Sequence, residues 1–202
     1  MRKAQAFLII FFLCLPFTLA AQENEPDVDD WEFFTDDLYA RGDQTFTISL
    51  GVVIPTVFIN NGRSIDGQIS PPVGGTGSLA YSYYFNSAFF VGAELSGMFL
   101  PTLGNNTIFL IPLGLRVGSQ YIYGRLEFPF FLSFGMCWQT YLDMGHYSIY
   151  AKLGASAFFR ASNDWSFGLT SSWGWFPQWT DDPSKAVHAN FLDIKLSARY
   201  HF

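Results

Sequence analysis

The chain has 202 residues, 11 Lys+Arg against 17 Asp+Glu, a formal net charge of −6, and 19% aromatic residues. Nine of the acids and a single base, Arg41, fall between Glu23 and Asp43, so the remainder from Gln44 onward holds eight of each sign and is neutral. The lack of a basic stripe excludes nucleic acid as a partner, and the lack of a long apolar run after the first twenty residues excludes helical membrane spans.

Residues 1–20 read as a cleavable signal peptide. Arg2 and Lys3 open it, Ala6 to Leu19 are almost wholly apolar, and Thr18-Leu19-Ala20 fits a small-residue cleavage site. Cys14 leaves with the leader, so Cys137 has no partner for an intramolecular disulfide. Residues 21–43 form an acidic segment, expected in the periplasm and, from its charge, without a fold of its own. Trp31, Phe34 and Leu38 stand at helical spacing within it, which leaves open a short amphipathic helix or plug.

From residue 44 the pattern changes to a period of two, which places alternate side chains on opposite faces of a strand. Eight strands are predicted: Gln44–Phe58, Gly75–Phe85, Ala88–Phe99, Thr107–Gly118, Tyr121–Trp138, His146–Arg160, Asp164–Phe176 and Ala189–Phe202. Longer connections alternate with tight turns at Asn86-Ser87, Ser119-Gln120 and Ala161–Asn163. The last strand shows the alternation best. Leu192, Ile194, Leu196, Ala198, Tyr200 and Phe202 share one face, while Asp193, Lys195, Ser197, Arg199 and His201 share the other.

Registers fixed by the apolar residues put nine strand charges on the face opposite the apolar one. These are Glu94, Arg116, Arg125, Glu127, Lys152, Arg160, Asp193, Lys195 and Arg199. Lipid would impose that bias, since a charge facing it at mid-membrane costs about 2–4 kcal/mol. Outward aromatics gather at the strand ends as two girdles. Tyr83, Phe85, Phe89 and Trp165 lie at one end and Trp138, Trp173 and Trp175 at the other.

The architecture predicted for residues 44–202 is all-β: an eight-stranded antiparallel transmembrane β-barrel, an up-and-down meander with both termini periplasmic. The alternative is an exported lipocalin-like barrel with its apolar face inward. Its polar face, mostly Gly, Ser, Thr and Ala, holds too few charges for a solvated exterior. In strand number, loop alternation and the terminal strand Leu192–Phe202, the chain resembles the small eight-stranded outer-membrane barrels. These are the group of OmpX, the OmpA membrane domain and OmpW, with the short spirochaete forms. The resemblance implies that Tyr200 and Phe202 belong to a signal read by the barrel assembly machinery.

Within the lumen, Glu94, Arg116, Arg125, Glu127, Lys152, Asp193, Lys195 and Arg199 are expected to form a charge network, since buried charges must pair or keep water. The bland reading is a network that closes the barrel; the sharper one is a gate on a narrow path. Pro112 and Pro129 face inward and cannot donate to a ladder, so they suggest broken pairing in the wall. Such an opening would suit OmpW-like passage of small, even hydrophobic, solutes. His146 and Ser148 invite comparison with barrel enzymes that modify lipid A, but no Glu follows Glu127 to orient the histidine. The expectation is therefore no enzyme, no metal and no cofactor. Expected partners are outer-membrane lipid, the assembly machinery, and an extracellular ligand at loops 59–73 and 177–188; the chain is expected to be a monomer.

Overall fold

The alternating segments form strands that pair each with its neighbour in sequence. In a computed structural model of the protein, residues 39–60, 63–64, 73–101, 107–141, 144–178 and 187–202 are described. The strands are β1 (Gln44–Asn60), β2 (Gly74–Tyr84), β3 (Phe89–Pro101), β4 (Thr107–Tyr123), β5 (Leu126–Tyr141), β6 (Met144–Arg160), β7 (Trp165–Gln178) and β8 (Val187–His201). They follow one another round an antiparallel sheet that closes by pairing β1 with β8, from Thr45↔His201 to Asn60↔Val187. Closure leaves no free edge, as a wall in lipid requires.

The stagger of this closure follows from its register. The hydrogen-bonded path Thr45, Ser82, Gly92, Arg116, Ser133, Lys152, Gly174, Phe191 returns to β1 at Pro55. One circuit therefore climbs ten residues, from position 45 to 55. A barrel of this stagger and strand number has strongly tilted strands and an interior that side chains can fill.

Short turns stand at the end shared with the beginning of β1. Asn86 Oδ1 accepts the backbone N–H groups of Ala88 (2.9 Å) and Phe89 (2.8 Å), and Ser162 Oγ accepts that of Trp165 (3.2 Å). The middle turn differs from expectation. β4 and β5 run on through Ser119 and Gln120 and reverse at Gly124-Arg125, where Gly124 adopts a φ of 57°. A tight reversal wants positive φ, and glycine supplies it without the Cβ clash that Ser119 or Gln120 would meet. At the opposite end, a two-residue ladder, Ile59↔Ser64 and Asn60↔Arg63, continues the first hairpin into the predicted loop 59–73. Strand likewise occupies both flanks of the predicted loop 177–188, with residues 179–186 between them outside the described set.

Each inward proline interrupts one ladder and leaves the other intact. Pairing of β3 with β4 skips from Leu95↔Leu113 to Met98↔Leu110 beside Pro112, and pairing of β5 with β6 skips from Glu127↔Phe158 to Phe130↔Ala155 beside Pro129. The β4–β5 ladder runs unbroken past both prolines. Register is the same on either side of each gap, so these are local lapses and the strands stay aligned.

The outer face is predominantly apolar. Leu50, Leu113, Leu153, Leu169, Leu196 and Phe130 are each more than half exposed. Patches of that kind mark a surface covered by something other than water, and with charge confined to the interior the covering is lipid.

Candidate functional site: the lumen

Eight of the nine predicted strand charges are buried inside the barrel: Glu94, Arg116, Glu127, Lys152, Arg160, Asp193, Lys195 and Arg199. Arg125 is the correction. Moving the turn to Gly124-Arg125 takes it off the strand, and its carbonyl caps the wall by accepting the Arg160 N–H at 2.8 Å. The buried charges form two layers.

The middle layer pairs its ions one to one. Glu94 on β3 meets Lys152 of β6 and accepts Ser96 Oγ (2.7 Å) and Ser133 Oγ (2.8 Å). Lys152 also donates to Ser96 Oγ at 3.0 Å. On β8, Lys195 Nζ lies 3.3 Å from Asp193 Oδ2, while Asp193 Oδ1 accepts the Ser172 hydroxyl (2.7 Å) and backbone N–H (3.1 Å). Below this layer, hydroxyls link four strands: Ser49–Ser197 (2.7 Å), Ser197–Thr170 (2.8 Å) and Thr170–Ser156 (2.9 Å).

The layer at the short-turn end of the barrel is a hub. Glu127 accepts Arg199 Nη1 (3.1 Å), Ser166 Oγ (3.2 Å) and the Tyr39 hydroxyl (2.6 Å), with Arg160 Nη1 a further 3.6 Å away. Tyr39 precedes β1 yet is 3% exposed, its ring 4.2 Å from Tyr84 and 5.5 Å from His201. Burial pushes its hydroxyl well above the ordinary tyrosine range, so it stays protonated and donates. Its φ of 70° and the turn that follows, with Gly42 donating to the Tyr84 carbonyl at 3.0 Å, hold the ring in the mouth. A cleft of about 160 Å³ remains there, bordered by Tyr39, Arg160, His201 and Phe202.

The outer third is apolar, which alternation did not foretell. Val53, Met98, Leu100, Leu110, Cys137, Tyr150, Phe176 and Phe191 pack together on the inward face, with Tyr150 and Phe176 stacked at 5.7 Å. The small lumenal residues leave little open space, because larger side chains fill it. A Cβ on Gly154 would stand 2.3 Å from the Phe131 ring, and one on Gly174 2.7 Å from Phe176 and 2.9 Å from Lys152. These glycines are seats for large neighbours, packed as a protein core is packed.

The predicted girdle residues lie on the outer wall. Phe85, Phe89, Trp138, Trp165 and Trp173 are exposed, and Tyr83 and Trp175 are partly covered by neighbours, Tyr83 against Phe85 (5.5 Å) and Trp175 against His188 (5.9 Å). Tyr121 and Tyr123, at the turn end of β4, are exposed as well, aromatics that placing the turn at Ser119-Gln120 concealed. Tyr200 packs between Trp165 (5.0 Å) and Phe202 (5.1 Å), and the Phe202 N–H closes the seam onto the Gln44 carbonyl at 3.0 Å. His146 is exposed, whereas Ser148 is buried and takes a hydrogen bond from Gln139 Nε2 at 2.5 Å. Among the described residues nothing joins these two as nucleophile and base.

Comparison with known proteins agrees with this architecture. A family model of Treponema type matches residues 23–200. An uncharacterized protein of Treponema pallidum (strain Nichols) is 26% identical over 171 residues, covering 80% of this chain and 78% of its own. Among solved structures, Neisserial surface protein A is similar with a TM-score of 0.61 at 6% identity, over 80% of this chain and 97% of its own, and shares the fold. The attachment invasion locus protein Ail of Yersinia pestis is matched at a TM-score of 0.45 and 15% identity, over 80% of this chain and 99% of its own. The molecule is a closed eight-stranded barrel of the outer-membrane kind.

Proposed function

The chain belongs to that Treponema-type family, and we propose that it serves the outer membrane as a structural or surface-contact protein whose lumen is closed to solutes. The observation that supports this most directly is the double blockage of the lumen. Glu94 with Lys152 occupies its middle, and Tyr39 with Glu127 and Arg199 occupies its periplasmic mouth, each of them no more than 3% exposed. Single-channel recording of the refolded protein in lipid bilayers tests the reading. Silence from a fully folded barrel is expected; steady small-solute conductance above that of empty bilayers would refute it.

A second reading, passage of small apolar solutes, has its own support. The apolar outer third adjoins the ladder lapse beside Pro112, where Gly97 on the lipid face has open space around it. Release of an apolar fluorescent probe from the lumen into the bilayer, abolished by filling Gly97, would favour it over the closed form.

Export is proposed to use residues 1–20 as a cleavable leader, with the acidic segment 21–43 left in the periplasm; all but its last residues lie outside the described set. The monomeric barrel would sit in lipid after insertion by the assembly machinery, with Tyr200 and Phe202 as its signal. Phe202, 64% exposed at the end of the seam, is available for that reading. Deleting it should lower the yield of heat-modifiable barrel while export continues, and a normal yield would contradict the signal role. Any extracellular ligand would meet the loops between residues 59 and 73 and between 177 and 188.

A further inference from the structure

The cleft of about 160 Å³ at the short-turn mouth is bordered by charged groups that the barrel itself does not fully match. Asp43 borders it from the turn before β1, Asp164 from the turn between β6 and β7, and Arg160 and His201 from β6 and β8. The Asp43 carboxylate accepts the Ala40 N–H at 2.9 Å. Asp164 is exposed, and its carboxylate meets no donor among the described residues. Arg160 is 8% exposed and donates to the Asn163 carbonyl at 3.0 Å. Its Nη1 stands 3.6 Å from Glu127, which is shared with Arg199, and neither Nη1 nor Nε has a hydrogen-bond partner. Two carboxylates and an incompletely matched guanidinium therefore share one open cleft.

The same cleft is continuous with the outer wall. Phe202 lines it and is 64% exposed. Its ring packs against Tyr200 at 5.1 Å, and Tyr200 packs against the exposed Trp165 at 5.0 Å. Trp165 directly follows Asp164 in the chain. Aromatic side chains on the outside of a barrel gather at the level of the lipid headgroups. The cleft thus stands where a headgroup stands, beside a ring surface that acyl chains would cover.

We propose that this cleft takes the headgroup of a phospholipid that carries a primary ammonium, of the phosphatidylethanolamine kind. Asp43 and Asp164 accept from the ammonium, the phosphate lies toward Arg160, and the chains run along Trp165, Tyr200 and Phe202. A primary ammonium brings three N–H donors for charge-assisted bonds to carboxylates, whereas a quaternary one brings none. A headgroup with a phosphate alone would face the two carboxylates unmatched. The proposal rests on the barrel lying in lipid, and it holds whether or not the lumen conducts.

In the experiment, the full chain is refolded in vesicles holding equal amounts of phosphatidylethanolamine, phosphatidylcholine and phosphatidylglycerol with identical acyl chains. The folded barrel is then extracted into mild detergent, and the lipid it retains is measured by mass spectrometry. The expected result is retention of the ethanolamine lipid in preference to the other two. Asp164→Asn keeps the side chain's size and the carbonyl that accepts the His201 N–H, but loses the charge, and should cut that preference about tenfold. Equal retention of the three lipids, or an undiminished preference in Asp164→Asn, would overturn the proposal. Should that variant fail to fold, Asp43→Asn, whose amide oxygen still accepts the Ala40 N–H, is read in the same way. Displacement of the retained lipid by soluble phosphoethanolamine would assign the cleft to a free solute and overturn the lipid assignment. A chain that yields no heat-modifiable barrel in the vesicles fails one step earlier, and the membrane reading falls with the site.

Discussion

The two ionic layers of the lumen solve one problem in different ways. In the middle, each carboxylate has its own lysine: Glu94 reaches from β3 to Lys152 on β6, and Asp193 turns to Lys195 two residues along the same strand. At the mouth a single carboxylate, Glu127, is shared by two arginines, a serine and a tyrosine from outside the strands. Pairs fail one at a time, whereas a hub takes all its partners with it. The middle layer should therefore behave as a sum of local terms, and the mouth as one cooperative unit.

The largest effect is expected for Glu127→Gln. It leaves Arg199 and Arg160 without a counter-charge inside the barrel, and removing one partner of a buried pair costs about 3–5 kcal/mol. Urea unfolding of the refolded barrel should show a loss at the top of that range, with the periplasmic mouth becoming accessible to a bulky labelling reagent. A loss smaller than that of Glu94→Gln would break the contrast between hub and pair.

Glu94→Gln comes second, at about 2–3 kcal/mol, because the amide can still accept from Ser96 and Ser133 while Lys152 loses its charge partner. Adding Lys152→Met to that variant should recover much of the loss, since two apolar or neutral groups no longer leave an ion unpaired. No recovery in the double-mutant cycle would show that the middle layer is also a network, with Ser96 as its bridge.

How much of this was legible in sequence follows from what alternation can encode. The wall was readable because lipid forces one face of every strand to be apolar, and eight of the nine strand charges lie inside for that reason. Arg125 was misplaced because Ser119-Gln120 reads as a polar turn, while the signal that decided the turn was Gly124 and its positive φ. The apolar outer third was hidden by the same rule that revealed the wall. Met98, Leu110 and Phe176 are apolar on the inward face, where a period of two has nothing to contrast them with. The small lumenal residues were noticed, but their purpose was not, because the ring that fills the space over Gly154 comes from another strand. Tyr39 had no periodic signal at all: it lies in an acidic stretch before the first strand, and only the closed barrel gives it a place.

Tyr39 therefore offers the finest test of the hub. Tyr39→Phe removes the hydroxyl that donates to Glu127 at 2.6 Å and accepts from Arg199 at 3.3 Å, and leaves the ring against Tyr84. Glu127 keeps Arg199 and Ser166, so the loss should be that of one charge-assisted hydrogen bond, about 1.5–3 kcal/mol and at the lower end of that range. The ring alone should still block the mouth, so bilayer recordings should remain silent for Tyr39→Phe. In Tyr39→Ala the ring is gone, and brief openings through the periplasmic layer are expected while the middle layer limits their size. If Tyr39→Phe is as damaging as Tyr39→Ala, the hydroxyl is what holds the hub together and the ring is secondary. If both leave stability untouched, the hub is complete on its strands and the residue before β1 adds nothing to it.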